Sequence, residues 1–391
     1  MVRRTHADAI ARARALAPKL DMAASKIEAA REMPSDVLAE MHEARLFRAL
    51  LPCSLGGDEL DLRSFVTFME EVARGDASAG WVVGQGAGCA MAAAFLSEAA
   101  AERWFGPPDA ALAWGAGIQG KAVRVEGGYR VSGKWMFASG SRHATILGGH
   151  SYVVDSAGAP ILRADGSRLD RTALVRRDQA EIDDNWHVLG LCGTGSDSFS
   201  LNDVFVPEED TIDRENPAEL REPGPLYLFP ATVVYGLGFS ALQVGVAAAM
   251  LDALKELAMT KTPRGVGVSL KENPVFHSTL ARLEARLRSA RSYLRTTAGE
   301  TFERVAGSGA ITLKDRADCK LASVHVIHEC VDVTAEAYRA AGSTAIFKGG
   351  PFERRLRDAF SASQQTQARA QNFVTLGGMM MGLEPESYTF L

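Results

Sequence analysis

The spacing of hydrophobic residues changes twice along the chain, and these two changes limit the folds that are open to it. Residues 7–105 carry apolar side chains at helical spacing. From about residue 110 the chain has short β-branched or alternating segments separated by glycine, and after about residue 230 long helical patterns return. We therefore predict an α+β protein with three parts: an N-terminal helical domain at 1–109, a central β-barrel-like domain at 110–212 and a C-terminal four-helix bundle at 213–391.

The composition is that of a globular protein, and it excludes several classes of partner. The formal net charge of -5 provides no broad basic field, so nucleic acid is not an expected partner. The apolar run from Val244 to Leu251 is too short to cross a bilayer, and the N-terminus lacks the apolar core of a signal peptide. The five cysteines form no CxxC pair, so a disulfide framework and a zinc site are not expected. We expect a cytoplasmic protein that does not bind membranes.

Four segments carry glycine, serine and aromatic residues in an order that is informative when they are taken together. They are DASAGWVVGQGAG at 76–88, GGYRVSGKWMFASGSRHA at 127–144, LGLCGTGSDSFSLNDVFVPEE at 189–209 and AAGSTAIFKGGPFERRLRDAFSASQQ at 340–365. In this order and at these separations they resemble the acyl-CoA dehydrogenase superfamily and, more narrowly, its branch of two-component, reduced-flavin-dependent monooxygenases. The resemblance covers almost the whole chain, so it implies the fold and the flavin cofactor of that superfamily.

The resemblance assigns flavin contacts to two motifs. In FASG it implies that Phe137 lies against one face of the isoalloxazine and that the Ser139 hydroxyl is directed at N5. In LCGTGSDS it places Thr194, Gly195 and Ser196 near the flavin, where glycine allows a close approach of the backbone and the hydroxyls are donors. From the residues alone, the first motif also fits a hairpin strand with a core Phe and a turn Ser, and the second fits a simple turn.

Other positions have a functional and a structural interpretation. The resemblance implies that Trp114 contacts the isoalloxazine edge and lines a substrate pocket with Gln85 and Cys89, whereas a buried core tryptophan fits equally well. It also implies that Arg264 faces the phosphate of the cofactor, although a solvated loop arginine is the ordinary expectation. Three histidines, His143, His325 and His328, are not completed by a carboxylate or a cysteine, so no metal site is predicted.

An acyl-CoA dehydrogenase needs a carboxylate base over the flavin, and the chain offers none at the usual position. Relatives with that activity place the base in the helix that follows an Arg-Asp dipeptide, but here Arg357-Asp358 is followed by AFSASQQTQAR. The matching stretch supplies Gln364 and Gln365 instead. Glu284 and Glu329, on earlier helices, are the remaining candidates for a dehydrogenase base.

The monooxygenase branch has different requirements, which the chain meets. There, a flavin C4a-hydroperoxide is shielded from water and held by neutral donors, a role that the resemblance gives to Ser139, Gln364 and Gln365. No GxGxxG motif follows a strand, so a separate NAD(P)H:flavin reductase is expected to supply reduced FAD or FMN. The resemblance also implies a homotetramer formed through the bundle, with the apolar tail FVTLGGMMMG available for an interface.

The pattern of the pocket favours one class of substrate. Phenol-hydroxylating relatives often carry a histidine near the positions of Gln364 or Gln365 and of Cys89, and this chain does not. We therefore expect a small, electron-rich aromatic or heteroaromatic substrate, indole-like rather than a simple phenol. The alternatives are an acyl-CoA dehydrogenase, an N-oxidising monooxygenase of an amine, and an idle relative that only binds flavin.

Overall fold

The computed structural model describes residues 5–214 and 216–385. The N-terminal part is helical, and its helices are α1 (His6–Ala30), α2 (Ser35–Glu43), α3 (Leu62–Gly75), α4 (Ala77–Ala90) and α5 (Glu98–Phe105). Asp76 ends α3 and also begins α4, where its carboxylate accepts a hydrogen bond of 2.9 Å from the Ala79 amide. This shared residue fixes the direction of α4, which carries part of the candidate site.

The central part is a single eight-stranded sheet. Its strands are β1 (Leu112–Trp114), β2 (Gly120–Val125), β3 (Gly128–Trp135), β4 (Ile146–Val154), β5 (Asp170–Arg176), β6 (Glu181–Ile182), β7 (Phe199–Pro207) and β8 (Thr211–Ile212). The order is β6-β7-β3-β2-β4-β5-β8, with β1 paired to β4. A hairpin joins β2 to β3 through two glycines, of which Gly127 takes the positive φ of 75° while Gly128 begins the strand.

The C-terminal part contains long helices that pack on the N-terminal ones. They are α6 (Ala231–Thr260), α7 (Pro274–Ser308), α8 (Leu313–Ala341), α9 (Pro351–Ala362) and α10 (Gln371–Met380). Helix α6 is apolar and long enough to cross a membrane, but 94% of its apolar window is buried inside the protein. It is therefore the central core helix of the bundle.

The fourth helix of the bundle is interrupted, whereas the sequence predicts one continuous helix from about 352 to 382. The chain leaves the helical conformation at Gln365, whose φ of -84° and ψ of 167° are extended. Helices α9 and α10 are the two halves, and the break between them contains Gln364 and Gln365. The region predicted to face the reaction is thus a loop.

The two helical parts share one hydrophobic core. A single cluster of buried side chains runs from Ala9 in α1 to Phe352 in α9, whereas a second cluster lies within the sheet around Trp135. A third cluster, which includes Cys89 and Trp114, joins α4 to the sheet. The fold class is as predicted, and the division of the chain at residues 109 and 212 stays a prediction.

Candidate active site

The FASG motif and the loop at 191–198 are joined through their backbones. The Ala138 amide donates to the Asp197 carbonyl at 3.1 Å, and the Gly140 amide donates to the Thr194 carbonyl at 2.9 Å. The Ser141 hydroxyl adds a hydrogen bond of 3.0 Å to the Gly195 carbonyl. The two motifs that the sequence analysis assigned to one cofactor are therefore held together as one unit.

Three hydroxyls form a chain inside this unit. Ser139 Oγ lies 2.8 Å from Ser196 Oγ, which lies 2.6 Å from Thr194 Oγ1, and Thr194 Oγ1 lies 3.0 Å from the Leu191 carbonyl. Each hydroxyl has a single proton, so the protons run either inward, with Thr194 donating to the Leu191 carbonyl, or outward through Ser139, with Thr194 donating to Ser196 in place of that carbonyl. In the outward arrangement Ser139 has a proton to donate to a ligand.

The open face of this unit is apolar. Phe137 is 57% exposed and has a φ of 60°, which is uncommon for a residue other than glycine. The edge of its ring contacts Trp186, with 6.2 Å between the ring centres. An exposed aromatic ring in a strained conformation beside a hydroxyl donor is an arrangement that fits the face of a flavin ring.

Helix α9 anchors the loop of the hydroxyl chain. The Leu191 amide donates to an Asp358 carboxylate oxygen at 2.7 Å. Burial, together with the nearby Asp76, raises the pKa of Asp358 to about 7. Asp358 is fully enclosed and its oxygen is used by the loop, so it holds the site in position and does not extend over it.

A cleft between α4 and α6 begins beside Ser139. The Trp81 indole donates to Ser139 Oγ at 2.9 Å, and its ring stacks on Phe239 with 4.1 Å between centres. Phe239 in turn stacks on Tyr235 at 5.8 Å. In α4 only Trp81 and Gln85 are not buried, and between Val233 and Leu251 in α6 only Tyr235 is not buried. Trp81, Gln85 and Tyr235, together with Phe239, define what we call the cleft.

The far end of the cleft contains the predicted pocket residues. Gln85 Nε2 donates to the Tyr235 hydroxyl at 3.4 Å, and Cys89 Sγ lies 3.4 Å from the same hydroxyl. Burial raises the pKa of Cys89 to about 12 and that of Tyr235 well above its ordinary value. Trp114, which is 4% exposed, closes this end with the guanidinium of Arg214 over its ring at 4.7 Å. This end of the cleft is thus polar, and among its residues named here only Arg214 is ionised.

Gln364 and Gln365 lie beside a different cavity. It measures about 280 Å³ and is also lined by His328 and Arg369. Gln364 is exposed and bonds only within its own turn, while the amide atoms of Gln365 are buried without a partner in the described residues. Neither glutamine makes a hydrogen bond to the hydroxyl chain, so the structure does not bring them into direct contact with Ser139.

The remaining candidates are not part of the cleft. Arg264 is exposed in the loop after α6, and no hydrogen bond or ion pair of its side chain occurs within the described residues. Glu284 pairs with Lys255 at 2.7 Å, and Glu329 pairs with Arg286, so both are engaged in ion pairs between bundle helices. Neither is available as a base over a flavin.

The three histidines do not converge. His143 is buried against Phe47, and burial lowers its pKa to about 4. His325 contacts Tyr293, and His328 bonds the Ala368 carbonyl at 2.7 Å. Within the residues that the structure describes, no group of three or more His, Cys, Asp or Glu side chains is placed to hold a metal.

Sequence reasoning missed four residues of the cleft: Trp81, Arg214, Tyr235 and Phe239. Trp81 had a readable signal, since Trp81, Gln85 and Cys89 are spaced by four and share one face of α4. The other three come from distant parts of the chain, and nothing in their local sequence indicates that they meet.

The chain belongs to the acyl-CoA dehydrogenase superfamily. Residues 4–108 match the family model "Acyl-CoA dehydrogenase, N-terminal domain", and residues 237–369 match "Acyl-CoA dehydrogenase, C-terminal domain". Within the superfamily it falls among the oxygenase components of flavin-dependent monooxygenases. The resemblance noted from the sequence is therefore confirmed.

Three proteins illustrate this placement. Indole-3-acetate monooxygenase of Pseudomonas putida is 29% identical over 357 residues, which are 91% of this chain and 89% of that protein. The flavin-dependent monooxygenase oxygenase subunit HsaA of Rhodococcus jostii is 27% identical, with coverage of 88% and 90%. The crystal structure of 3-HSA hydroxylase from Rhodococcus sp. RHA1 superposes with a TM-score of 0.86 at 25% identity, covering 98% and 99% of the two chains. All three are oxygenases and not dehydrogenases.

Proposed function

We propose that this protein is the oxygenase component of a two-component flavin monooxygenase that hydroxylates an electron-rich, indole-like arene. The observation that carries the proposal is the hydroxyl chain that ends at Ser139, on an open aromatic face and next to an aromatic cleft. Of the side chains described at the cleft, none is a carboxylate positioned as a base. That arrangement suits oxygen transfer and does not suit the oxidation of a thioester.

The flavin fits the open face of the FASG unit. Phe137 would lie against the ring, Ser139 would donate to it, and Gly195 would allow its close approach. Thr194 and Ser196 are buried, so they would act through Ser139 by setting the direction of its proton. Trp114 would bound the site on the cleft side, and Arg264, exposed on its loop, would be free to reach a phosphate group of the cofactor.

Reduced FAD or FMN, supplied by a separate reductase, would react with oxygen and provide an electrophilic oxygen atom. The protein would contribute a dry cleft, a proton held at Ser139 Oγ and amide donors. For Gln364 and Gln365 we propose a catalytic role in holding the reacting oxygen. The support is that the Gln365 amide is buried with its hydrogen-bonding groups unused in the described residues.

The pocket favours an arene that is already electron-rich. Tyr235 and Cys89 have raised pKa values, so they stay neutral and do not take a proton from a phenol at neutral pH. Gln85 offers a neutral amide and Trp114 a flat wall. Relatives named for indole-3-acetate support the same choice.

We also propose a cytoplasmic homotetramer. Several apolar side chains around α9 and α10 are exposed: Ile346, Phe347, Phe360, Phe373, Val374, Met380, Met381 and Leu383. An apolar surface of this extent is typical of an interface between subunits. Burial of the C-terminal tail between copies would also close the loop that carries Gln364 and Gln365.

A single-turnover experiment tests the activity. Protein loaded with reduced FMN or FAD is mixed with ¹⁸O₂-saturated buffer that contains indole, phenol or a saturated acyl-CoA. We expect ¹⁸O in an indole product, less peroxide release when indole is present, and slower reaction with phenol. Peroxide alone with every arene, or oxidation of the acyl-CoA to its enoyl product, would disprove the proposal.

A further inference from the structure

Arg214 differs from several arginines of the β-domain because no anionic partner of its side chain occurs among the described residues. It lies two residues after the end of β8 and is half-buried, with its guanidinium 4.7 Å over the Trp114 ring. Within the described residues it makes no hydrogen bond or ion pair. By comparison, Arg142, Arg163 and Arg171 are each paired with a carboxylate.

Three titratable groups that the structure places near Arg214 are neutral at physiological pH. Its charge lowers the pKa of Cys89, Tyr235 and His150, which shows that all three lie near it. Burial nevertheless keeps Cys89 and Tyr235 protonated, and it lowers the pKa of His150 to about 3, so that this ring is uncharged. The neighbouring Asp213 is paired with Arg163 at 2.9 Å.

A half-buried guanidinium without a counterion loses part of its hydration without the compensation of an ion pair. An aromatic ring offsets part of that cost, but the group with the matching geometry is a carboxylate, which a guanidinium binds through two hydrogen bonds. We infer that Arg214 binds the carboxylate of the substrate. This inference rests on the proposed function and specifies its substrate class as aryl-alkanoic acids.

The shape of the cleft sets the length of such a substrate. Trp81 and Cys89 are two helical turns apart, which is roughly 12 Å along α4. Ser139 is joined to the Trp81 end, and Arg214 lies at the Cys89 end. A bicyclic arene with a short acid side chain would extend along this direction, with its carboxylate at Arg214 and its ring carbons towards Ser139.

The test compares Arg214→Gln with the wild type on three ligands: indole-3-acetate, indole-3-acetamide and indole. Dissociation constants are measured by calorimetry without flavin, and KM is measured with reduced flavin. We expect the wild type to bind the acid more tightly than the amide. Arg214→Gln should raise the dissociation constant of the acid by roughly 10- to 100-fold, as for the loss of a hydrogen-bonded charge pair. Binding of the amide and of indole is expected to change less than threefold. Arg214→Lys, which keeps the charge and loses the two-pronged geometry, is expected to be intermediate.

Arg168→Gln is the matched control, because Arg168 also lies over an aromatic ring, 5.4 Å from that of Tyr152, and is exposed. It is expected to leave all three ligands unchanged. If Arg214→Gln loses the same affinity for the acid and the amide, the inference is overturned. It is also overturned if Arg214→Gln weakens binding of reduced FMN but not of reduced riboflavin, because that result would assign Arg214 to the flavin phosphate. Tight, Arg214-dependent binding of the acid without hydroxylation would support the site and reject only the proposed function.

Discussion

Trp81 connects the two halves of the candidate site through one side chain. Its N–H donates to Ser139 Oγ at 2.9 Å on the proposed flavin side, and its ring stacks on Phe239 on the proposed substrate side. Because Ser139 accepts this bond, its own proton is free to point to Ser196 or outward. In the proposed site, the orientation of the Ser139 donor is therefore coupled to the wall of the cleft.

Replacing Trp81 by Phe should separate these two roles. Phenylalanine keeps a ring against Phe239 but cannot donate to Ser139, so we expect reduced flavin to bind roughly 3- to 10-fold more weakly, the usual effect of one lost hydrogen bond. More oxygen should also be released as peroxide. Titration of reduced FMN and the ratio of peroxide to product provide the measurements.

The control for this variant is Trp104→Phe. Trp104, like Trp81, donates its indole N–H, but its acceptor is the Asp210 carboxylate at 2.7 Å and it lies outside the cleft. The Trp104→Phe variant should have a lower free energy of unfolding but unchanged flavin affinity and an unchanged ratio of peroxide to product. Unchanged flavin affinity and coupling in Trp81→Phe would show that the bond to Ser139 has no functional role.

Sequence resemblance predicted site residues whose chemistry is local and missed those defined by packing. Ser139, Thr194 and Ser196 were each predicted to lie near the flavin, and in the structure they form one chain of hydroxyls. Arg214 was not predicted, because its meaning depends on the absence of a counterion and on the ring of Trp114, which are properties of the folded chain. The chemistry of a single side chain can be inferred from the sequence, whereas the presence or absence of a counterion beside a charged side chain cannot.

At the scale of elements, α4 and α6 approach closely at Gly88. A Cβ atom there would lie 2.4 Å from Cε1 of Tyr235, whose ring is held by its stack on Phe239. Gly88→Ala should therefore displace Tyr235, weaken indole binding roughly 10-fold and lower the free energy of unfolding by about 1–3 kcal/mol. Indole titration and urea unfolding measure both effects.

Gly84, one turn earlier on the same helix, provides the comparison. A Cβ atom at Gly84 would meet the terminal methyl group of Met69 at 2.7 Å, and that flexible side chain can move. Gly84→Ala should keep the indole affinity and lower the free energy of unfolding only a little, because alanine is more favourable than glycine in a helix by about 1 kcal/mol. If both variants bind indole like the wild type, Tyr235 does not line the substrate site.

The contact between α9 and the Leu191 loop should depend on pH through Asp358. Burial raises the pKa of Asp358 from an ordinary value near 3.8 to about 7, so between these values the folded protein keeps a proton that the unfolded chain has lost. Stability from this group therefore falls as the pH rises from about 4 to 7, by at most about 1.4 kcal/mol per pH unit, and is constant above about 8.

Asp358→Asn removes the titration and keeps an oxygen for the Leu191 amide. Its advantage in the free energy of unfolding over the wild type should grow from pH 5 to pH 7 and then level off. Urea unfolding at several pH values measures this difference, with the exposed Asp109→Asn as control. Parallel curves for Asp358→Asn and the wild type would mean that Asp358 is ionised throughout this range.

Helix α8 shows where reasoning from periodicity failed. The sequence predicts a buried stripe of Leu321, Val324, His328, Val331, Ala335 and Tyr338, but His328 is exposed and most of the others are half-buried. The fully buried stripe includes Cys319, Val326, Cys330, Val333 and Ala337, which face α6 and α7. Both stripes are apolar at helical spacing, so the sequence alone does not tell which one faces the core.

At the scale of the whole molecule, the proposed site lies where the N-terminal helices, the sheet and the C-terminal helices meet. The hydroxyl chain is made by the sheet region, the cleft by α4 and α6, and the anchor of the loop by α9. The sequence predicts each domain through its own periodicity, but a junction has no periodicity of its own. This is why the predicted fold is correct while half of the cleft was missed.

The apolar surface of α10 leads to a prediction about assembly. Val374 is 65% exposed although it lies on a helix with an apolar sequence, and in the proposed tetramer a second copy of the chain would cover it. Val374→Asp would place a charge in that proposed interface, so we expect the assembly to dissociate to a smaller species in light scattering coupled to gel filtration. Met22→Asp, at a position on α1 that is 79% exposed, should keep the tetramer mass. If α10 also closes the loop with Gln364 and Gln365, the dissociated variant should release more peroxide per oxygen consumed. A Val374→Asp protein with an unchanged mass would place the interface on another surface.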